Sequence, residues 1–265
     1  TTDPEERKKL REILPKHVRL LAEKIETEEE FQQALDFGYV LFQGYFFCKP
    51  AVLHQKRLTS NALSKIRLLR EINRQNVDFS SITGVISSDT NLVHKLLTYI
   101  NSAGVGLNNH VSNLKQATVL LGASGIRRWV TLISLQTFSE DKPPELFTLS
   151  LLRAKFCELI ATDIKRPGLT PDTGFLLGIF SLLDVLLSLP MEDVLKEVAL
   201  SDELNAALLG EDNDLRRLLD LVVAYEKGDW DAVITCSDRL NLPADQLKPT
   251  YDKVLEWYNV LQSIS

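Results

Sequence analysis

Cysteine is scarce here: three residues in 265, at Cys48, Cys157 and Cys236, never in C-x-x-C spacing. A disulfide framework is excluded, and apolar neighbours make each a buried thiol of a reducing cytosol. Glycine (12) and proline (10) are too few for collagen-like or low-complexity chains. No apolar run reaches the roughly 18 residues of a membrane span. The longest candidate, Phe175 to Leu189, is broken by Gly178, Ser181, Asp184 and Ser188. The start, rich in charge from Asp3 to Glu12, is no signal peptide. Met191 is the only methionine, so the initiator has been removed or the sequence belongs to a longer protein. Phosphate-binding glycine loops and the G-x-S-x-G elbow are missing. A net charge of −6 argues against a dedicated nucleic-acid binder but leaves room for a local basic patch.

What is present is a globular composition, 45% hydrophobic and 25% charged. The first fifty residues alternate helix and strand. Asp3-Pro4 opens a helix to about Leu14, and Val18 to Ala22 is an apolar run of strand length. Thr27 caps a second helix, with Glu28, Glu29 and Glu30 where the helix dipole favours them, and Gly38 ends it. Tyr39 to Phe47 is aromatic and β-branched, a strand. This order predicts parallel strands.

After Pro50 only helices are expected. Thr59 or Ser60 opens one carrying Leu63, Ile66, Leu69 and Ile72 at helical spacing. Asp78 caps a short one through Ile86, and Ser88-Asp89 opens another with Leu92, Leu96, Leu97 and Ile100. Ser112 caps a helix that stops at Gly122, and Ser124 caps the next. Long apolar helices follow over about Leu146 to Ile164 and Thr173 to Leu189, then shorter ones opened near Met191, Ser201, Asp212, Asp229 and Pro243. The expected core includes Leu96, Ile100, Leu120, Leu121, Ile133, Phe156, Ile160, Leu176 and Leu183.

Charge is uneven. Seven basic residues and one acid (Glu71) lie between Lys49 and Arg74, whereas twelve acids and four bases lie between Glu192 and Asp231. The two stretches are read as solvated faces, or as one docking on the other. A sharper reading makes Lys65, Arg67, Arg70 and Arg74 a partner-binding face, the arginines sharing one side of a helix.

Two stretches resemble known families. Leu20-Leu-Ala-Glu-Lys-Ile-Glu-Thr, with Phe37-Gly-Tyr-Val-Leu-Phe-Gln-Gly-Tyr-Phe-Phe-Cys-Lys-Pro50, resembles the last βαβ portion of EAL domains, the cyclic di-GMP phosphodiesterase barrels. Lys24 departs from the usual glycine. The resemblance places Glu23 and Gln43 at two of the family's polar site positions, read as relics, since the strands supplying most metal ligands are not in this sequence. Tyr99-Ile-Asn-Ser-Ala-Gly, Val111 to Ala117, Leu120-Leu-Gly122 and Trp129 to Leu135 resemble the HDOD family, helical relatives of HD-type phosphohydrolases. That resemblance implies a mainly α fold: an all-helical, HD-related bundle over 56–265, with an α/β remnant of an incomplete EAL barrel over 1–55. The remnant is expected to lean on the helical part, because an incomplete barrel exposes strand edges.

HD hydrolases hold metal with an adjacent His-Asp pair and further ligands, and no such pair occurs here. The most similar context, Gly178 to Leu182, puts Ser181 and Leu182 at the ligand positions. His17, His54, His94 and His110 show no paired spacing and read as surface or packing residues. Asn101 is expected to end a helix and tie the following loop through its side chain. The resulting expectation is a cytoplasmic bacterial signalling module with no catalytic residues, cofactor or metal, acting through contacts with other signalling proteins. No membrane partner is expected, a nucleic-acid partner is disfavoured, and nucleotide binding stays open but unsupported. The alternative is a metal-dependent cyclic di-GMP phosphodiesterase or nucleotide hydrolase whose missing ligands precede this sequence. A third reading is nucleotide or nucleic-acid binding through the face from Lys65 to Arg74.

Overall fold

The computed structural model describes residues 18, 20–23, 25, 27–42, 59–73, 79–101 and 110–262. The chain divides into two compact units, Thr1–Ala51 and Val52–Ser265. The expected helix from Asp3, Cys48 and most of the strand after Tyr39 lie outside the described residues.

In the first unit, strand β1 (Leu21–Ala22), helix α1 (Glu28–Asp36) and strand β2 (Leu41–Phe42) follow in order. The strands pair in parallel, Leu21 with Leu41 and Ala22 with Phe42, as the alternating pattern predicts. Thr27 closes a capping box: its hydroxyl accepts from the Glu30 amide at 3.1 Å, and the Glu30 carboxylate accepts from the Thr27 amide at 3.3 Å. Ala22, Ile25 and Ala34 are buried, with Phe31, Tyr39 and Phe42 packed against them.

The described residues of the second unit form helices joined by short loops, one of which carries an antiparallel bridge between Arg166 and Leu169. Its elements are α2 (Ser60–Asn73), α3 (Phe79–Ser87), α4 (Thr90–Ile100), α5 (Leu114–Phe138), α6 (Pro144–Asp163), α7 (Pro171–Phe180) and α8 (Leu183–Leu187). They continue as α9 (Met191–Val198), α10 (Asp202–Leu209), α11 (Asp214–Lys227), α12 (Trp230–Leu240) and α13 (Leu247–Gln262). Helix α6 is central, packed on α7, α11 and α13, while α5 packs on α2 and α4. Phe156 of α6 meets Tyr225 of α11 and Tyr251 of α13 edge-on, with centroids 5.2 and 5.1 Å away.

The expected core holds at Leu96, Ile100, Phe156, Ile160, Leu176 and Leu183, all buried. Leu120 is 52% exposed, and Leu121 and Ile133 are only half-buried. The helix stop expected at Gly122 is present: its φ of 60° and ψ of −168° part α5 into two helical segments. In the segment before it Ala117 is the buried residue, and Leu120 falls on the open side. Leu63 is also exposed; the buried face of α2 instead takes in Ala62 and Leu68 with Ile66, Leu69 and Ile72.

Caps follow chemistry more closely than position. Asp89, Ser201 and Asp229 cap α4, α10 and α12 as expected. Asn113 rather than Ser112 caps α5, and Asn213 rather than Asp212 caps α11. Ser124 donates its hydroxyl to Asp172 at 2.6 Å. The single helix expected over Thr173 to Leu189 is two, α7 and α8, parted at Ser181 and Leu182. Cys157 is buried, but Cys236 is half-buried.

Candidate functional site

Of the EAL-like positions, Glu23 is exposed and Gln43 lies outside the described residues. The basic face is not one uniform surface. Arg67 is exposed, and Arg74 lies outside the described residues. Lys65 is half-buried, and burial lowers its ammonium below the usual range, Lys95 adding and Asp89 opposing. Arg70 reaches the C-terminal end of α9: its Nη2 donates to the Lys196 carbonyl at 3.2 Å, and Nη1 lies 3.6 Å from Glu197 Oε2. Asn73 Nδ2 donates to the Val198 carbonyl at 3.5 Å beside it. Cations at a helix C-terminus complement its dipole. Here one residue of the basic stretch, Arg70, meets the acidic one within the molecule. His94 and His110 are exposed, and His17 and His54 lie outside the described residues.

Asn101 does what its position predicts. Its Nδ2 donates to the Leu97 and Val111 carbonyls, and its Oδ1 accepts from the Val111 amide, each at 2.8 Å. One side chain thereby closes the end of α4 and pins the chain where it re-enters before α5.

At the centre of the unit stands an ion pair that the sequence reading missed. Arg153 of α6 and Glu226 of α11 keep only 4% and 6% of their side chains exposed. Arg153 Nε donates to Glu226 Oε1 at 3.0 Å, and Nη2 donates to Oε2 at 2.6 Å. Nη1 donates to Ser181 Oγ at 2.9 Å, and that hydroxyl donates to the Gly178 carbonyl at 2.7 Å. Such forked, charge-assisted pairing offsets much of the cost of removing both charges from water. Arg153, set between Leu151-Leu152 and Ala154 in the expected helix from Leu146 to Ile164, whose other charges are Lys155, Glu158 and Asp163, was the available signal. Burial, with Glu226 adding and Arg153 opposing, pushes the neighbouring Cys157 thiol far above its ordinary range, so it stays protonated.

Ser181 and Leu182 are the positions that the resemblance aligned with HD metal ligands. Leu182 is buried and apolar, and Ser181 is engaged by a guanidinium. A fixed cation 2.9 Å from the hydroxyl repels a divalent ion. This donor set does not fit a metal, and among the described residues no group of three His, Cys, Asp or Glu side chains is placed to hold one.

Tight packing surrounds the pair. A Cβ on Gly178 would lie 2.6 Å from Arg153 O and from Ala154 Cα, and one on Gly174 would lie 2.7 Å from Cys157 O. The two glycines let α7 approach α6 backbone to backbone.

The opposite side of α6 is built differently. A cavity of about 450 Å³ lies among α4, α5, α6 and α13. Leu132 and Ile133 of α5, Phe147 and Leu151 of α6 and Leu261 of α13 supply apolar lining. Tyr99, Gln136, Tyr258 and Gln262 bring the polar groups. The Tyr258 hydroxyl is fixed by Thr148 at 2.9 Å and Gln262 at 2.8 Å. Close to Tyr99 runs a compensated network: Arg128 Nη2 meets Glu158 at 2.7 Å and Asp172 at 3.1 Å, and Lys155 meets Glu158 at 3.0 Å. Arg128 also covers the Phe175 ring at 4.6 Å. Burial raises the Tyr99 hydroxyl above its ordinary range, with Arg128 opposing and Glu158 adding.

Among the described residues no helix is long and apolar enough to cross a membrane. No solved structure matches the chain significantly. Two curated relatives do. The uncharacterized protein YuxH of Bacillus subtilis is 36% identical over 241 residues, 89% of this chain and 58% of its own length. The cyclic di-GMP phosphodiesterase CdgJ of Vibrio cholerae is 37% identical over 215 residues, 81% of this chain and 50% of its own length. The chain thus spans between half and three-fifths of the relatives it matches. Residues 61–206, more than half of it and running from α2 into α10, match the HDOD domain, and the chain belongs to the HDOD family.

Proposed function

We propose that the chain is a non-catalytic signal-relay module of the bacterial cytosol, working through protein contacts in a cyclic di-GMP pathway. Family membership and the activity for which CdgJ is named support the pathway. The observation that carries the non-catalytic reading is the Arg153 guanidinium bound to Ser181 and neutralised by Glu226. A cation built from the protein fills the place where a hydrolase would gather ligands for one. The EAL-like residues before α2 fit the same reading as the end of a barrel, with Glu23 an exposed relic.

The test is hydrolysis. The chain is incubated with cyclic di-GMP and Mg²⁺ or Mn²⁺, beside an active phosphodiesterase. No turnover above the protein-free rate is expected. Turnover that survives further purification would overturn the proposal and favour a hydrolase. The basic face provides a second readout. Arg67→Glu should leave the melting temperature unchanged while weakening association with the cognate partner. If single-stranded nucleic acid binds instead, with steep salt dependence lost in Arg67→Glu, the nucleic-acid reading replaces this one.

A further inference from the structure

We propose that the cavity among α4, α5, α6 and α13 is a binding site for an uncharged small molecule with a flat apolar body and one carbonyl-type acceptor. Its volume of about 450 Å³ falls within the range of small-molecule sites. Five apolar side chains line it, enough to desolvate a two-ring body. The polar groups are neutral and come from separate helices: Tyr99 from α4, Gln136 from α5, and Tyr258 and Gln262 from α13. Tyr258 is already committed to Thr148 and Gln262, which makes it part of the wall. Gln136 Oε1 accepts from Lys95 at 3.4 Å, leaving its amide N–H groups to donate. The Tyr99 hydroxyl has no partner among the described residues. Two donors therefore stand at an apolar cavity without matching acceptors among the described residues, and a carbonyl oxygen answers them.

The charge argument points the same way. Arg128 and Lys155 are neutralised by Glu158 and Asp172, so they offer an anion little. Lys95 keeps its charge, donating to the exposed Gln136 at 3.4 Å, but it does not line the cavity. A phosphorylated ligand would find no dedicated cationic clamp. One wall belongs to α13, beyond the matched residues 61–206, so the site joins the family domain to a C-terminal helix. Occupancy would fasten that helix to α6. The site goes beyond the relay proposal and does not depend on it, since a hydrolysis assay says nothing about this cavity.

The probe is prodan, a naphthalene ketone whose emission shifts to the blue on leaving water. Titrated into the full chain, it should bind saturably at one site. Tyr99→Phe, which removes one hydroxyl, should weaken binding about fivefold. Ile133→Trp, which fills the cavity, should weaken it by about tenfold or more. Circular dichroism checks that each variant is folded. If Ile133→Trp fails to fold, Tyr99→Phe decides alone. Amide exchange in α13 should slow on saturation. Absence of saturable binding, or binding that ignores Tyr99→Phe, overturns the proposal. Equal or tighter binding of the anionic anilinonaphthalene sulfonate overturns its claim of an uncharged ligand.

Discussion

Helix α6 has two faces built on opposite principles. On one, Gly174 and Gly178 bring α7 so close that an added Cβ would strike backbone atoms, and Arg153 is locked between Glu226 and Ser181. On the other, Phe147 and Leu151 border open space of about 450 Å³, where the Tyr99 and Gln136 donors have no acceptor among the described residues. Both faces sit in one domain on one helix, so the difference is not one of overall stability. The first face uses a polar cluster to settle a fixed arrangement, and close-packed interiors tolerate little change there. The second leaves room and hydrogen-bonding capacity, which is what a changing occupant requires. Fixed structure and available chemistry are thus separated by the thickness of one helix.

The contrast breaks most sharply at the ion pair. Arg153→Met strands Glu226 in a dry interior and should cost about 3–5 kcal/mol in a urea titration. Adding Glu226→Leu should recover most of that loss, because both charges then disappear. If the double variant is no better than the single, the pair has a role beyond mutual neutralisation. Next comes the close helix approach: Gly178→Ala should cost about 1–3 kcal/mol, since its new methyl meets backbone rather than a movable side chain. The cavity face should behave in the opposite way. Leu132→Phe adds three carbons beside empty space and should change stability by no more than about 1 kcal/mol. A loss as large as that of Gly178→Ala would erase the distinction between the faces.

The smallest effect is one of pH. Burial raises the Asp184 carboxyl above its ordinary 3.8, against hydrogen bonds from backbone amides and the Arg153 charge, with Glu192 adding. Between that value and the raised one, the folded chain holds a proton that the unfolded chain has lost. Stability therefore falls as pH rises through this window. Asp184→Asn should raise the melting temperature at pH 7, and the gain should shrink toward pH 4.

Much of this architecture was legible before the fold. The caps at Thr27, Asp89, Ser201 and Asp229 follow from local hydrogen-bonding chemistry that a few neighbouring residues determine, and the parallel strands follow from the alternating order of strand and helix. Asn101 could be read for the same reason, because its partners lie within ten residues. What could not be read depends on distance along the chain. Arg153 and Glu226 are 73 residues apart, and no periodicity announces that they meet. The cavity draws on residues from Tyr99 to Gln262, each ordinary in its own helix. Leu120 was misplaced because the short segment before Gly122 buries Ala117, and apolar character alone does not say which side of a two-turn segment faces inward.

The Arg153–Glu226 pair also separates two meanings of the word domain. The family match ends at residue 206, yet the counter-ion for Arg153 is supplied by residue 226. A protein trimmed to the matched segment would keep the Arg153 hydrogen bond to Ser181 but lose the Glu226 carboxylate that neutralises the guanidinium. A fragment meant to keep that pair must extend through α11, so the evolutionary border falls inside the packed unit.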